Sequence, residues 1–510
     1  MSNEFLLFDE PMAVFANGKL AADPHDGLAL FGAFDSGGLA GEMPSHAVIG
    51  TKNGIRLWNR WSELFNGPSC CTDISRHRPW PPFTGFDVAF GATWPGPSRA
   101  IEIDEAELDD RSRRLNKNER AYQVANSYLD PFESLKKMDR EPSIVVCVVP
   151  DFVYQNCRPK SYVADTTESE TDRLLLSIGQ QKAKTGQRSF FEESAGFGTA
   201  IDTSEQFGYS TDFRRQLKAR VMPYGIPIQI VRESTLTLTD QIVNGEKGTN
   251  PLSDRLWNLG TSLYYKSGRK PWKISGTREG VCYIGISYKL QEGSNKSACC
   301  AAQMFIDSGD GIVFLGDFGP WYSEKDGQFH LTKKAAKKLL SGALQTYQEQ
   351  GGPEINEIFL HAKSGINRDE FQGFEEAAPD GCKLVGIRVR QDRGGLRLYR
   401  DGRRPVLRGM FWKRTPRFGY LYTNGFKPRL GTYDGFEIPV PLELTIQRGV
   451  ADIEAVAQDI LALTKLNYNA CLLGEGLPIT IKFSGAIGEI LLANPSLPRS
   501  EYRHNFKFYI

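Results

Sequence analysis

Apolar positions along this chain recur with two different periods, and the way the periods alternate divides it into three zones. In residues 1–140, short apolar stretches at Ala47–Gly50 and Ile55–Trp58 predict strands set among many Pro and Gly turn signals. Arg111–Met138 then carries its charges on one face, which predicts helix with a break at Pro131. A second zone opens at Pro142 with SIVVCVVP, a continuous β-branched run suited to a parallel strand buried on both faces. The polar stretch 160–208 contains a Lys/Gln-rich helical piece around Ile178–Lys184. Asp212–Met222 predicts a helix, PYGIP a turn, IQIV a strand and Leu252–Lys266 another helix. This strand–helix–strand–helix order predicts a doubly wound α/β domain.

The third zone runs to the end of the sequence. Val281–Tyr288, Ala298–Asp307 and Gly311–Phe318 read as strands, with Ser308-Gly309-Asp310-Gly311 as a hairpin turn between the last two. Helix Lys333–Gln350 follows, its Ala335, Leu339, Ala343 and Tyr347 at helical spacing. Strand Glu357–Leu360, helix Asp369–Glu376, strand Lys383–Val389 and a late helix Ile453–Leu466 complete the zone. Three consecutive strands followed by helix–strand–helix is the element order of an RNase H-like sheet.

Composition narrows the function classes. The chain has 510 residues, 40% hydrophobic and 24% charged, enough for two to four domains with large cores. Its net charge of +1 provides no global field for nucleic acid, so any such surface must be local. The longest apolar run, Ile144–Val149, is far shorter than the roughly 20 residues of a membrane helix. The N-terminus lacks a basic n-region, so no signal peptide and a cytoplasmic location are expected. Nine cysteines without a CxxC suggest reduced thiols. Cys70 and Cys71 with His77 would be metal ligands only if a fourth were present, and none is evident.

Two basic features could bind phosphate. In FRRQLKARVM, Phe213, Leu217 and Val221 form one stripe, and Arg214 and Lys218 are i,i+4 neighbours on an adjacent face. Two cations on one edge repel each other unless an anion sits between them. Gln229 and Arg232 on the following strand, and Lys266 at the end of the next helix, add further donors. The plain alternative is a solvated basic helix face. Residues 388–417 hold eleven cations against Asp392 and Asp401, a net +9 in thirty residues. Ten of the cations are arginine, which grips phosphate bidentately, and Tyr399, Phe411, Trp412 and Phe418 interleave with or flank them. A protein partner with an acidic face is the competing reading. The six histidines are scattered, no phosphate loop or nucleophile elbow occurs, and His361 at a strand end suits a structural hydrogen bond better than a base.

RRQLKARVMPYGIPIQIV resembles the MID segment of Argonaute proteins, and VCYIGIS, HAKSG, LTKLNYN and LPITIKFSG resemble successive landmarks of their PIWI domain. The resemblance covers nearly the whole chain. It implies an α/β architecture: a Rossmann-like MID domain (141–272) and an RNase H-like PIWI domain (273–510), with an N-terminal mixed α/β region (1–140) packed on both. It also implies that Arg214, Lys218, Gln229, Arg232 and Lys266 hold a guide's 5′ phosphate. Lys465, Arg388, Arg390, Arg404 and Arg408 would contact guide or target backbone. The carboxylate of Ile510 would share a structural Mg²⁺ with the phosphate. The length leaves no room for N and PAZ domains. DPHDGLALFG, FDVAFGATWPG and CCAAQMFIDSGDGIVFLGDFGPWY are similar to short prokaryotic Argonautes paired with NAD-degrading subunits.

Active members of the family need acidic residues where this chain has Ser287, Ser364 and Ser484-Gly485. Mg²⁺ prefers charged oxygen ligands, and two-metal hydrolysis depends on them. The expectation is therefore a binding protein: a 5′-phosphorylated guide RNA directs recognition of single-stranded target DNA without slicing. An APAZ-containing partner of TIR or sirtuin type would then deplete NAD in an invaded cell. The pair would form a heterodimer, with higher assembly on activation. The residues leave RNA and DNA open for either strand, and the resemblance favours RNA guide and DNA target. Two other readings stand beside this one. One is an active nuclease using displaced acids (Asp307, Asp310, Asp317, Asp369, Glu370). The other is a structural subunit whose basic strip binds protein alone.

Overall fold

The computed structural model describes residues 4–36, 41–71, 81–161, 163, 209–238, 250–276, 278, 280–290, 298–306, 311–392, 395–430, 438–494, 498 and 501–510. The helical piece at Ile178–Lys184, His77, Arg393, Asp307 and the turn residues Ser308–Asp310 lie outside them.

Two sheets carry the fold. β1 (Glu4–Leu7) belongs to the second of them, while β2 (His46–Gly50), β3 (Arg99–Glu102), β4 (Ile144–Val149) and β5 (Ile228–Arg232) form the first. The first sheet has the order β3-β2-β4-β5 and is parallel throughout. All six residues of β4 are buried, because helices cover both faces. α1 (Lys52–Ser62) puts Trp58 and Trp61 against Val48 and Val146 on one face. On the other, α2 (Lys117–Leu129) and α3 (Phe213–Arg220) bring Val124, Tyr128 and Leu217 onto Ala47 and Val145. α4 (Leu252–Lys266) returns to the first face through Leu256 and Trp257.

The second sheet is built from β6 (Val281–Leu290), β7 (Ala298–Ile306), β8 (Gly311–Gly319), β9 (Glu357–Ala362), β10 (Lys383–Gln391), β11 (Met410–Thr415), β12 (Phe418–Leu421) and β13 (Leu442–Arg448). Its order is β1-β11-β12-β13-β10-β9-β6-β7-β8. β6, β7 and β8 form an antiparallel meander, and β6, β9 and β10 pair in parallel, which is the RNase H-like arrangement. α5 (Lys333–Glu349) and α6 (Arg368–Glu375) pack on one face; α7 (Ile453–Leu463) and α8 (Ser484–Leu491) lie on the other. Among the described residues no helix is long and apolar enough to cross a membrane.

Four expectations change. Ile55–Trp58 is not a strand but part of α1, whose buried Gly54, Trp58 and Trp61 follow helical spacing and whose cap Thr51 accepts from Gly54 N at 3.0 Å. The helical stretch breaks at Pro131 and also at 113–116, where Asn116 caps α2; a separate helix, Glu105–Ser112, precedes it. In α5 Leu339, Ala343 and Tyr347 are buried as expected, but the first alanine of the buried stripe is Ala336, while Ala335 is half-buried. The boundary at residue 140 runs through one sheet, since β2 and β3 lie upstream of it and β4 and β5 downstream. Parallel strands need long crossovers, so the four strands of this sheet are drawn from residues spread between 46 and 232.

Candidate nucleic-acid interface

α3 starts at Asp212, whose carboxylate accepts from the backbone N–H groups of Arg214 and Arg215 at 3.0 and 3.3 Å. One turn later Lys218 points back across the helix, and its Nζ donates to the Tyr509 carbonyl at 3.2 Å. The chain then turns at Gly225, whose φ of 69° is left-handed, and re-enters the sheet as β5. There Gln229 Oε1 accepts from Lys266 Nζ at 2.7 Å and from Ser262 Oγ at 2.8 Å. Lys266 is buried and also donates to the Ile228 carbonyl at 3.0 Å. Burial, then repulsion from Lys218 and Arg214, holds the Lys266 amine well below the ordinary lysine range. Burial and Arg214 likewise push Lys218 down to about 7, with Asp212 opposing. The structure thus gathers Arg214, Lys218, Gln229 and Lys266 around one point, beside the buried segment that ends in Ile510.

A pocket of about 250 Å³ adjoins this cluster, lined by Arg214, Gln229, Phe213, Tyr154, Arg158 and Arg232 among others. Arg232 takes a different part from the one expected of it. Asp151 holds its guanidinium, with Nε 2.9 Å from Oδ1, and its plane lies 4.1 Å from the Tyr154 ring. It is a wall of the pocket rather than a donor at its centre. Arg158 approaches the same ring at 4.4 Å, so Tyr154 is flanked by two guanidinium groups. Tyr154 and Ser262 were not singled out from the sequence; the aromatic one turn past the buried VVCVV strand was the available signal for the first.

The basic strip divides. Arg408 and Lys465 face inward and are not available to a nucleic-acid backbone. Arg408 Nε lies 2.9 Å from Glu10 Oε2 and its Nη2 donates to Thr464 Oγ1 at 2.7 Å. Lys465 is 1% exposed, bonded to the Ala22 and Leu473 carbonyls at 2.6 and 2.8 Å and paired with Glu10 at 2.8 Å. Arg390 is exposed but pairs with Glu443. Arg404 is exposed and stacks 4.7 Å from the Phe426 ring. Arg388, half-buried, stands opposite Ala362 in the ladder, at the end of the sheet where β9 runs into Ser364.

Ser287 and Ser484 meet: Ser287 Oγ donates to the Ser484 carbonyl at 2.8 Å. Ile286 pairs with Ala362, so Ser287 and Ser364 follow the last rung of adjacent parallel strands. Glu489 on α8 reaches both Arg215 of α3 and Lys289 of β6, at 2.5 Å each, and ties this end of the second sheet to the cluster on the first. His361 is buried and bonded to Thr480 Oγ1 at 3.0 Å, with burial pushing its pKa to about 3. Of the displaced acids, Asp317 pairs with Lys338 at 2.9 Å and Asp369 is exposed. Glu370 was expected on an exposed first turn; it is 1% exposed instead and accepts from Tyr288 Oη at 2.5 Å and Leu331 N at 3.3 Å. Tyr288 on β6 and the Leu331 N–H just before α5 thus draw that carboxylate inward.

His330 sits between Asp326, at 2.8 Å, and Glu370, at 3.6 Å. Glu370 and Asp326 outweigh burial and raise the imidazole to about 9. A raised folded pKa means that this contribution is fully present below the unfolded value near 6.5 and is lost as pH rises through about 9. His330→Gln is expected to lose about 1–3 kcal/mol at pH 6 and far less at pH 10. Urea midpoints of both proteins across that range check this; a constant difference would contradict it.

The fold has the MID-PIWI-like architecture seen in solved Argonaute structures. The chain is similar to Clostridium butyricum Argonaute solved with a guide DNA and a 19-mer target DNA. The identity is 15% and the TM-score 0.58, over 98% of this chain and 54% of that one. It is similar to Aquifex aeolicus Argonaute, at 16% identity and TM-score 0.53 over 96% and 53%, and to Drosophila Piwi, at 14% and 0.54 over 99% and 56%. The chain spans about half the length of these structures. No protein-family model matches it, and no curated protein does.

Proposed function

We propose that the chain is the recognition subunit of a short prokaryotic Argonaute system. It captures the 5′ phosphate of a guide RNA between Arg214, Lys218, Gln229 and Lys266, pairs the guide with single-stranded invading DNA in the cytoplasm, and does not cut. One observation carries this reading. Three cations sit together, two of them with amines so desolvated that their charge is disfavoured, and a phosphate is the ligand that relieves both penalties. Where Ile510 ends the chain, its carboxylate with phosphate oxygens would suit Mg²⁺, which takes one or two carboxylates plus phosphate; the Lys218–Tyr509 contact brings that segment to the cluster. Bound there, the ion would neutralise phosphate charge.

Serines in place of acids at positions 287, 364 and 484 support recognition without hydrolysis. Signalling then falls to a partner, an APAZ-containing subunit that hydrolyses NAD. With guide RNA, labelled complementary DNA and Mg²⁺, the chain is expected to hold the duplex and leave it intact. The complex with its partner is expected to consume NAD only when both strands are present. Specific cleavage by the chain alone, or NAD loss without target, overturns the reading.

A further inference from the structure

We propose that the loop leaving β10 is a binding site for single-stranded nucleic acid, with Tyr399 as the platform on which an unpaired base stacks. Tyr399 is 77% exposed, and among the described residues no ring, guanidinium or hydrogen-bond partner meets it. Its neighbours supply charge for a phosphate backbone: residues 396–404 hold Arg397, Arg400, Arg403 and Arg404 against Asp401. Arg403 is exposed, and among the described residues no carboxylate or carbonyl takes it. Arg400 is exposed and commits only its Nε, which donates to the Arg404 carbonyl at 3.1 Å; both of its Nη groups stay open. An unstacked aromatic ring beside open arginines matches a base and its phosphate, the pairing that sequence-tolerant binders of single strands use.

The loop is held at its roots and shaped at its tip. Buried Asp392 accepts from Leu396 N at 2.8 Å at one root. At the other, Phe426 N donates to the Val406 carbonyl at 2.8 Å and Arg408 N to the Phe426 carbonyl at 3.0 Å. Gly402, with φ +97°, turns the chain between Arg400 and Arg404, whose guanidinium groups lie 5.6 and 4.7 Å from the Phe426 ring. Arg404 thereby serves the shape of the turn.

β9 and β10 run parallel, so the loop starts at the edge of the sheet where β9 runs into Ser364. An unpaired flank of a strand recognised at that edge leads toward Tyr399. The site goes beyond guide capture and rests on the reading of the chain as a binder of nucleic acid, but it uses neither Lys218 nor a 5′ phosphate.

Anisotropy titration of the full-length protein with a 5′-hydroxyl oligothymidylate, and with the same strand made abasic, tests the assignment. Tyr399→Ala should weaken the intact strand by about five- to a hundredfold, the range of one stacked base, and the abasic strand by less than about twofold. Tyr399→Phe should keep the preference for the intact strand. Arg403→Ala should lower the slope of log K against log salt by about 0.7. Both positions are exposed, so the denaturation midpoint should not move. A preference for the intact strand that survives Tyr399→Ala overturns the proposal. So does one that falls with Lys218→Ala instead, which puts the base at the guide anchor. Arg403-dependent binding of polyglutamate, with neither strand bound, overturns it in favour of an acidic protein. Loss of 5′-phosphate preference on Lys218→Ala without a Tyr399 effect refutes this site alone, and the converse refutes guide capture alone.

Discussion

Lys218→Ala is expected to abolish most of the preference for a 5′-phosphorylated oligonucleotide over its 5′-hydroxyl form. The loss should be about 2–4 kcal/mol, or roughly thirty- to a thousand-fold in the ratio of the two Kd values, because a desolvated charge pair is being removed. The pH dependence makes the test specific. Burial and then Arg214 bring the empty-site amine to about 7. Above that pH the site must take up a proton to bind a phosphate, so affinity for the phosphorylated strand should fall between pH 7 and 9. Folding stability moves the other way. The folded pKa lies below the unfolded one, so the unfolded chain binds more protons across that window. The cost of the buried charge is full below pH 7 and relieved as pH rises toward 10. Denaturant midpoints of wild type and Lys218→Met, compared at pH 6.5 and 9.5, should therefore draw together with pH while phosphate preference declines. A phosphate preference unchanged by the mutation, or by pH, would remove Lys218 from the anchor.

The parts of this site that were legible in the sequence are those set by local rules. Arg214 and Lys218 share a helix edge through the i,i+4 rule, and Gln229 follows one turn and one strand later, so short-range geometry brings them together. Lys266 ends a helix whose apolar stripe fixes its packing. The +9 strip failed as a single surface for the opposite reason. Charge density along a sequence does not say which side of a strand or loop a residue takes, nor what awaits it there. Arg408 and Arg404 are four positions apart, one buried against Glu10 and the other exposed over Phe426. The partner that decides the matter stands 398 positions away from Arg408. Glu370 shows the same limit, since its burial depends on β6 and not on its own helix.

That distant pairing carries the largest stability effect expected of a single substitution, Glu10→Gln. Burial alone would raise the Glu10 carboxyl, yet Arg408 and Lys465 outweigh it and hold the group ionised. Both cations are themselves buried, 5% and 1% exposed. Removing the carboxylate they share leaves two desolvated positive charges close together, with Asp23 acting only on Lys465, a defect of about 3–5 kcal/mol. Combining Glu10→Gln with Arg408→Met and Lys465→Met should recover much of the loss, since an apolar replacement no longer requires a counter-charge. The depressed carboxyl pKa gives a second signature: the contribution is present above the unfolded value near 4.5 and is lost as pH falls through the folded one. Shifts of the denaturation midpoint measure both effects. The same node separates an interior lysine from a nucleic-acid contact. Lys465→Met should lower the midpoint but leave the salt slope of oligonucleotide binding unchanged, whereas a phosphate contact would reduce that slope by about one. A lower slope with an unmoved midpoint would return Lys465 to the nucleic-acid surface.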